Sequence, residues 1–317
     1  MADITLDKRA SVAVLDKKEY KSESLFRIAL RRFLRHRMAV AGSLMLLAII
    51  LFVWGGALIY TEAYANATDL LNRFAAPSAE NLFGTDQVGR DIMARTIYGG
   101  QISLMIAVTA VAISVTLGTL VGLVSGYYGG GVDSLLMRFV EALLSIPPLV
   151  LLLLLSRVLA GNTDTLMVLG RQLSASVIAI ILIIGLTSWM QLSRIVRAVV
   201  LTLKEQEFVM AARQQGASNA RIIFAHILPN CIAPIVVAAT LGVGIAIITE
   251  AYLSFLGFGV MPPTATWGNI LNPAKDALDE APWLWMAPGL LIVLTVLAIN
   301  FIGDGLRDAL DPRMRSG

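Results

Sequence analysis

Charge, cysteine, histidine and nucleotide-binding motifs are scarce or missing in this 317-residue chain, and each shortage removes a class of function. Charged residues make up 15% and hydrophobic residues 57%, against about 25% charged in soluble domains. An ordinary soluble fold is excluded. The one cysteine, Cys231, permits no intrachain disulfide and reads as a small apolar side chain. The two histidines, His36 and His226, lie far apart without ligand spacing, so no metal is expected. No Gly-Lys pair occurs, which removes the phosphate-binding Gly-x-x-x-x-Gly-Lys-Ser/Thr loop. A Gly-x-Ser-x-Gly elbow and a His-Glu-x-x-His pair are missing too. The chain is expected to be no enzyme and to hold no cofactor.

What is present is apolar and long. Six charge-free runs reach or approach bilayer length: Met38–Tyr60, Gln101–Gly126, Ala142–Ser156, Gln172–Ser193, Ile227–Thr249 and Ala281–Gly303. The third is short. It spans if Glu141 lies at one interface and Arg157 snorkels at the other, and is otherwise re-entrant. These runs predict an all-α membrane protein of six transmembrane helices. They carry no ionisable group inside, with Glu141 and Glu250 at their ends, so nothing holds a coupling ion. Uphill transport by such a chain needs a motor in another protein.

Lysine and arginine orient the bundle. Segments 1–37, 127–141, 194–226 and 304–317 hold 19 of the 25 basic residues, which places both termini in the cytoplasm. The basic balance then belongs to a face beside anionic membrane lipid and calls for no nucleic acid. The first apolar run begins too late, and is too long, for a cleaved signal peptide. Ahead of it, Leu25, Phe26, Ile28, Phe33 and Leu34 interleave with Arg27, Arg31, Arg32, Arg35 and Arg37, predicting a helix along the inner membrane surface. Residues 1–20 show no such pattern and are expected to be mobile.

Between the fourth and fifth runs lies a polar, amphipathic island, residues 207–229. Helix formers run to Gln215. Gly216 suits the left-handed residue that ends a helix, and a second periodic segment then ends at Pro229, which suits the start of the next helix. Two readings stand: a docking surface for a protein outside the membrane, or a helix lying on lipid.

The island resembles the cytoplasmic loop of binding-protein-dependent ATP-binding-cassette importers of the dipeptide/oligopeptide family. That loop reads Glu-Ala-Ala, three residues, Gly, nine residues, Ile, any residue, Leu-Pro. Ala211, Ala212, Gly216, Leu228 and Pro229 fall on this spacing, while Met210 replaces the Glu and His226 the Ile. The resemblance implies an ATPase-coupling loop at about 205–226, with Glu207, Ala211, Ala212, Arg213, Gly216, Ala217, Arg221, His226, Leu228 and Pro229 as its site residues.

Further signatures follow in the family's order. Phe83-Gly84-Thr85-Asp86, then Gly89-Arg90-Asp91, resembles its outer-loop motif. Read from the residues, Asp86 suits an N-cap and Arg90 can pair with Asp91, so a structural turn, a substrate contact and a binding-protein docking surface all stand. Gly126-Tyr127-Tyr128-Gly129-Gly130 and Ser145-Ile146-Pro147-Pro148 are similar to its cytoplasmic turn and third-span entry. Leu253–Gly259, with Gly257, and Pro262, Pro263 and Trp267 resemble a second outer loop, whose tryptophan reads as exposed and ready to dock a partner. Trp283 and Trp285 fit an interfacial aromatic belt. Residues 303–313 resemble the family's C-terminal tail.

The family implies a type I importer permease fold in a bacterial inner membrane. It implies a heterodimer with a homologous permease, two cytoplasmic ATP-binding subunits and an extracytoplasmic solute-binding protein. The chain divides into residues 1–97, holding the N-terminal segment, first helix and outer loop, and 98–317, the five-helix core with its coupling loop. Di- or oligopeptides are the expected cargo, with nickel chelates, oligosaccharides or opines as alternatives. An ion-independent secondary transporter and a structural assembly subunit are the rival classes.

Overall fold

The computed structural model describes residues 25–159, 165–168 and 171–310. The mobility expected for residues 1–20, and the tail residues Asp311, Pro312 and Arg313, lie outside the described residues. Chain order gives α1 (Leu25–Arg35), α2 (Arg37–Gly56), α3 (Glu62–Asn66), α4 (Ile92–Tyr128), α5 (Gly130–Leu144) and α6 (Pro148–Leu159). A two-stranded antiparallel hairpin, β1 (Thr165–Val168) and β2 (Arg171–Ser174), follows. Then come α7 (Ala175–Leu203), α8 (Glu207–Gln214), α9 (Asn219–Arg221), α10 (Leu228–Phe255), α11 (Trp267–Leu271) and α12 (Trp283–Leu310).

Five helices among the described residues are long and apolar enough to cross a membrane, and a bent pair counts as a sixth when taken as one broken span. That pair, Gly130–Leu144 with Pro148–Val158, turns by 84° at the predicted third run. Pro147 and Pro148 have no N–H to continue a ladder, and each disfavours helical geometry in the residue before it. The third run is therefore a corner with an arm on either side. α4 is longer than its charge-free run. Its 37 residues rise about 55 Å at 1.5 Å each, beyond the roughly 30 Å of hydrocarbon.

Pro229 opens the next helix as its type suits, but the segment before it does not break off there. Asn219–Phe255 is one continuous helix, with Pro229 in the first turn of α10. A proline there lacks a donor and crowds the carbonyl four residues back. Residues Ile222–Ile227 form π-helix instead, and Leu228 N–H bonds to Ile223 O, five residues back. The wider turn lets the helix absorb the proline.

α4 against α7 is the tightest seam. Gly118, Gly122 and Gly126 recur every four residues on α4. A methyl group at each would come within 2.7–2.8 Å of Trp189 O, Ser193 O or the Val200 side chain. Missing side chains let the two backbones approach as in other membrane helix pairs. Ile102, Ile106, Ala110, Ile180, Ile183, Ile184 and Ile247 fill the main core around this seam. α1 lies across the end of α12, where Asp308 Oδ2 stands 3.5 Å from His36 Nε2. His36 also caps α2, its Nδ1 accepting Ala39 N–H at 3.1 Å.

Candidate functional site

At the basic end of the bundle, α8 stops in a full Schellman turn. Ala217 N–H reaches Ala212 O and Gly216 N–H reaches Arg213 O, with Gly216 at φ +78°. A Cβ on Gly216 would meet nothing within 4 Å, so backbone geometry alone favours glycine there. Ser218 then caps α9, accepting Arg221 N–H.

The island's apolar face is already used. Val209, Ala212, Ile222, Ile223 and Ile227 are buried against Leu123, Val196, Val200 and Cys231 of the bundle. Glu207, Ala211, Arg213, Gly216, Arg221 and Pro229 are exposed, and Ala217, His226 and Leu228 half-buried. Phe208, Met210 and Phe224 stand exposed among them, at 43%, 45% and 57%.

Tyr127, at the end of α4, ties the island down. Its hydroxyl donates to Asn219 Oδ1 at 2.8 Å, and the Arg213 guanidinium lies 5.8 Å from its ring centroid. Six residues on, Asp133 takes both Nε and Nη2 of Arg197 at 2.6 Å, and Ser125 donates to the same carboxylate. One corner thus joins α4, α5, α7 and the island. From sequence Tyr127 reads only as part of a cytoplasmic turn, and Phe208 and Phe224 carry no role of their own within the island. The Tyr-Tyr pair before a glycine turn is the one signal for the tie at Tyr127.

The opposite, loop end differs from expectation. Gly84 and Gly89 take φ +72° and +78°, and a Cβ on Gly89 would lie 1.7 Å from Asp69 O. Asp86 caps no helix. Its Oδ1 accepts Val88 and Arg90 N–H, and its Oδ2 accepts Arg90 Nε at 2.6 Å. Asp91, expected to pair with Arg90, is instead the N-cap of α4, accepting Ala94 N–H at 2.7 Å. Burial pushes its carboxyl up, partly offset by the Ala94 and Met93 amides. Gly84, Asp86, Gly89 and Asp91 are buried, while Phe83 and Arg90 are half-buried.

Trp267 is also corrected. It is 0% exposed, its Nε1 donating to Thr96 O at 2.9 Å and its ring lying over Gly100. A Pro/Gly-rich stretch predicts a surface, yet α11 folds back into the bundle through a Thr266–Asn269 capping box. Gly257, Pro262 and Pro263 alone of that loop's predicted residues are exposed. Trp283 donates to Thr85 O at 3.3 Å, so it anchors the first outer loop.

Glu250, placed by sequence at the end of a run, is 0% exposed inside α10. Ser103 and Ser254 hydroxyls donate to it at 2.9 and 2.7 Å, and Trp267 N–H donates to Ser103 Oγ at 3.2 Å. The carboxyl links α4, α10 and α11. Between the two ends, a groove of about 430 Å³ lies among α4, the α5–α6 corner, α7 and α10. Ser114, Thr187, Ser188, Gln191 and Thr249 supply its polar groups, and no charged side chain lines it.

Residues 118–316 match the family model described as binding-protein-dependent transport system inner membrane component. The chain belongs to that family. Residues 24–77 match a second model, the N-terminal transmembrane domain of oligopeptide transport permease C. Among curated relatives, a putative peptide permease protein of Brucella suis is 45% identical over 89% of each chain. A dipeptide transport system permease protein of Alkalihalophilus pseudofirmus is 40% identical, covering 94% of this chain and 93% of its own. An oligopeptide transport system permease protein of Bacillus subtilis is 38% identical, covering 96% and 95%. This family member is a multi-pass inner-membrane transport component with the permease fold.

Proposed function

We propose that this chain is one of two permease subunits of an ATP-driven importer for di- or oligopeptides, in the bacterial inner membrane with both termini cytoplasmic. The island at 207–229 carries the reading. Its apolar face rests on its own bundle while Phe208, Met210, Arg213 and Phe224 point outward. Exposed aromatic and arginine side chains on a rigid support are what a protein partner's groove takes. That partner is the ATP-binding pair in the cytoplasm. Peptide cargo is supported by the relatives' names and by the uncharged groove, which offers hydrogen bonds without selecting side-chain charge.

In this reading a homologous permease completes the pathway, and a solute-binding protein delivers cargo to the loop end. Closure of the ATP-binding subunits moves the island, and Tyr127 and the Asp133–Arg197 pair carry that motion to α4 and α7 as rigid bodies. The division at 97 stands as a proposal, with the two family models falling on either side of it. The chain itself hydrolyses no nucleotide, since it has no phosphate loop.

Reconstitution with the companion subunits in proteoliposomes tests this. ATP-dependent uptake of labelled di- and tetrapeptides is expected, and none without the ATP-binding subunits. Uptake of nickel chelates or oligosaccharides that peptides do not compete would sink the cargo assignment. ATP hydrolysis by the purified chain alone would sink the subunit role.

A further inference from the structure

A pocket of about 180 Å³ opens at the loop end, between the 84–90 turn, the start of α4, the 257–262 loop and the 269–273 segment. Arg90 and Arg95 line it with a single carboxylate, Asp86. That carboxylate is already engaged by Val88 N–H, Arg90 N–H and Arg90 Nε. Arg95 Nε stands 3.9 Å from Asp86 Oδ2, beyond hydrogen-bond distance. Arg95 Nη1 donates to Asn66 Oδ1 at 3.2 Å. Arg95 is 3% exposed, and a guanidinium presents five N–H donors in a planar fork.

Two cations therefore share one anion in a wall largely stripped of water. A buried charge without full pairing is costly, and a further carboxylate would complete it. Arginine forks fit a carboxylate through two parallel bonds. Gln87, Asn269 and Asn272 add polar rim groups, while Met261, Pro262 and Ile270 supply an apolar collar.

We infer that this pocket receives the side-chain carboxylate of an aspartate or glutamate on the extracytoplasmic solute-binding protein as it docks. The inference rests on the proposed reading that a binding protein meets the loop end. Size favours a single side chain over cargo, since sites enclosing small ligands run to about 300–1,000 Å³. The groove shares no lining residue with this pocket, so cargo has separate space. Charge complementarity in a desolvated recess gives a docking protein both orientation and a faster approach.

The test uses the complete importer in nanodiscs and its own binding protein, with docking affinity as the readout. Arg90→Gln is expected to raise the Kd for the binding protein at least about tenfold, with Arg90→Lys between it and wild type. Wild-type docking should weaken with salt more steeply than docking of the Gln variant. Neutralising the acids of the binding protein singly should reveal one whose loss is non-additive with Arg90→Gln. A third arm attaches a polyethylene glycol maleimide at Pro262→Cys, beside the pocket mouth.

If the adduct blocks docking while Arg90→Gln docks normally, the docking face stands and the carboxylate receptor is overturned. If neither changes docking, the docking reading itself fails. Unchanged docking with uptake lost only for peptides bearing a free C-terminal carboxylate, and kept for their amides, would make the pocket a cargo reader and overturn the inference. Should Arg90→Gln not assemble, the acid scan decides, and the absence of any acid worth about tenfold in Kd overturns it.

Discussion

The two ends of this bundle carry signatures of similar strength in the sequence but use them in opposite ways. At the basic end, Ala211, Gly216 and Pro229 are exposed, and the signature borders an outward surface backed by Val209, Ile222 and Ile227. At the loop end, Gly84, Asp86, Gly89, Asp91 and Trp267 are buried, and the signature is the scaffold that holds the loops. A motif records that a residue type is required at a position. The requirement comes from a backbone angle at Gly216, from a steric gap at Gly89, and from a buried hydrogen bond at Trp267.

The largest expected effect tests the loop end. Trp267→Ala should destabilise the protein by about 3–5 kcal/mol, the usual cost of truncating a buried aromatic. It also leaves Thr96 O without its indole donor. Thermal unfolding of the purified complex in detergent measures it. Unchanged stability with lost binding-protein docking would restore Trp267 to the surface role that sequence assigned, and the contrast between the two ends would collapse.

Next in size is Gly216. Valine at φ +78° should cost roughly 1–3 kcal/mol locally, because a branched side chain is poorly accommodated there. Asparagine, which tolerates the left-handed region, should cost well under half of that. Since a Cβ at 216 meets nothing in this chain, a loss as large in the asparagine variant as in the valine variant reports a clash with a partner instead of strain. ATP-binding-subunit association and the ratio of ATP hydrolysed to peptide imported separate the two. Full coupling in Gly216→Val would return the island to the lipid-lying reading.

Much of this was legible in the chain. Five of the six apolar runs became helices of spanning length, and the Gly216 turn followed from helix formers meeting one glycine. The misses share a physical origin in contacts between distant residues. Nothing near Trp267 announces that Gly100, 167 positions earlier, leaves room for its ring. Asp86 and Asp91 are equally good caps locally, and the chain's return at Thr85–Asp91 decides between them. Pro229 does open α10, and only the π turns before it join it to the preceding segment without a break. Glu250 looked terminal because charge-free counting stops at any charge. Its three-helix hydrogen-bond network depends on Ser103 and Trp267, far away in sequence.

The smallest effect sharpens the basic end. Tyr127→Phe removes one hydroxyl, whose bond to Asn219 should be worth about 0.5–1.5 kcal/mol. The ring stays, so packing against the island and the stacking of Arg213 persist. Stability should barely move, by roughly 1 °C to a few degrees in Tm. If Tyr127 positions the island, ATP hydrolysis should become less tightly linked to uptake although the complex assembles normally. Asn219→Ala should produce the same change, and the double variant should be no worse than either alone, because one bond is lost in each case. Arg213→Ala removes the contact on the ring face instead and should add to Tyr127→Phe. Additive losses for Tyr127→Phe and Asn219→Ala would mean that the two residues act separately. In that case the corner at the end of α4 is a packing contact, and the island moves the bundle through its buried face alone.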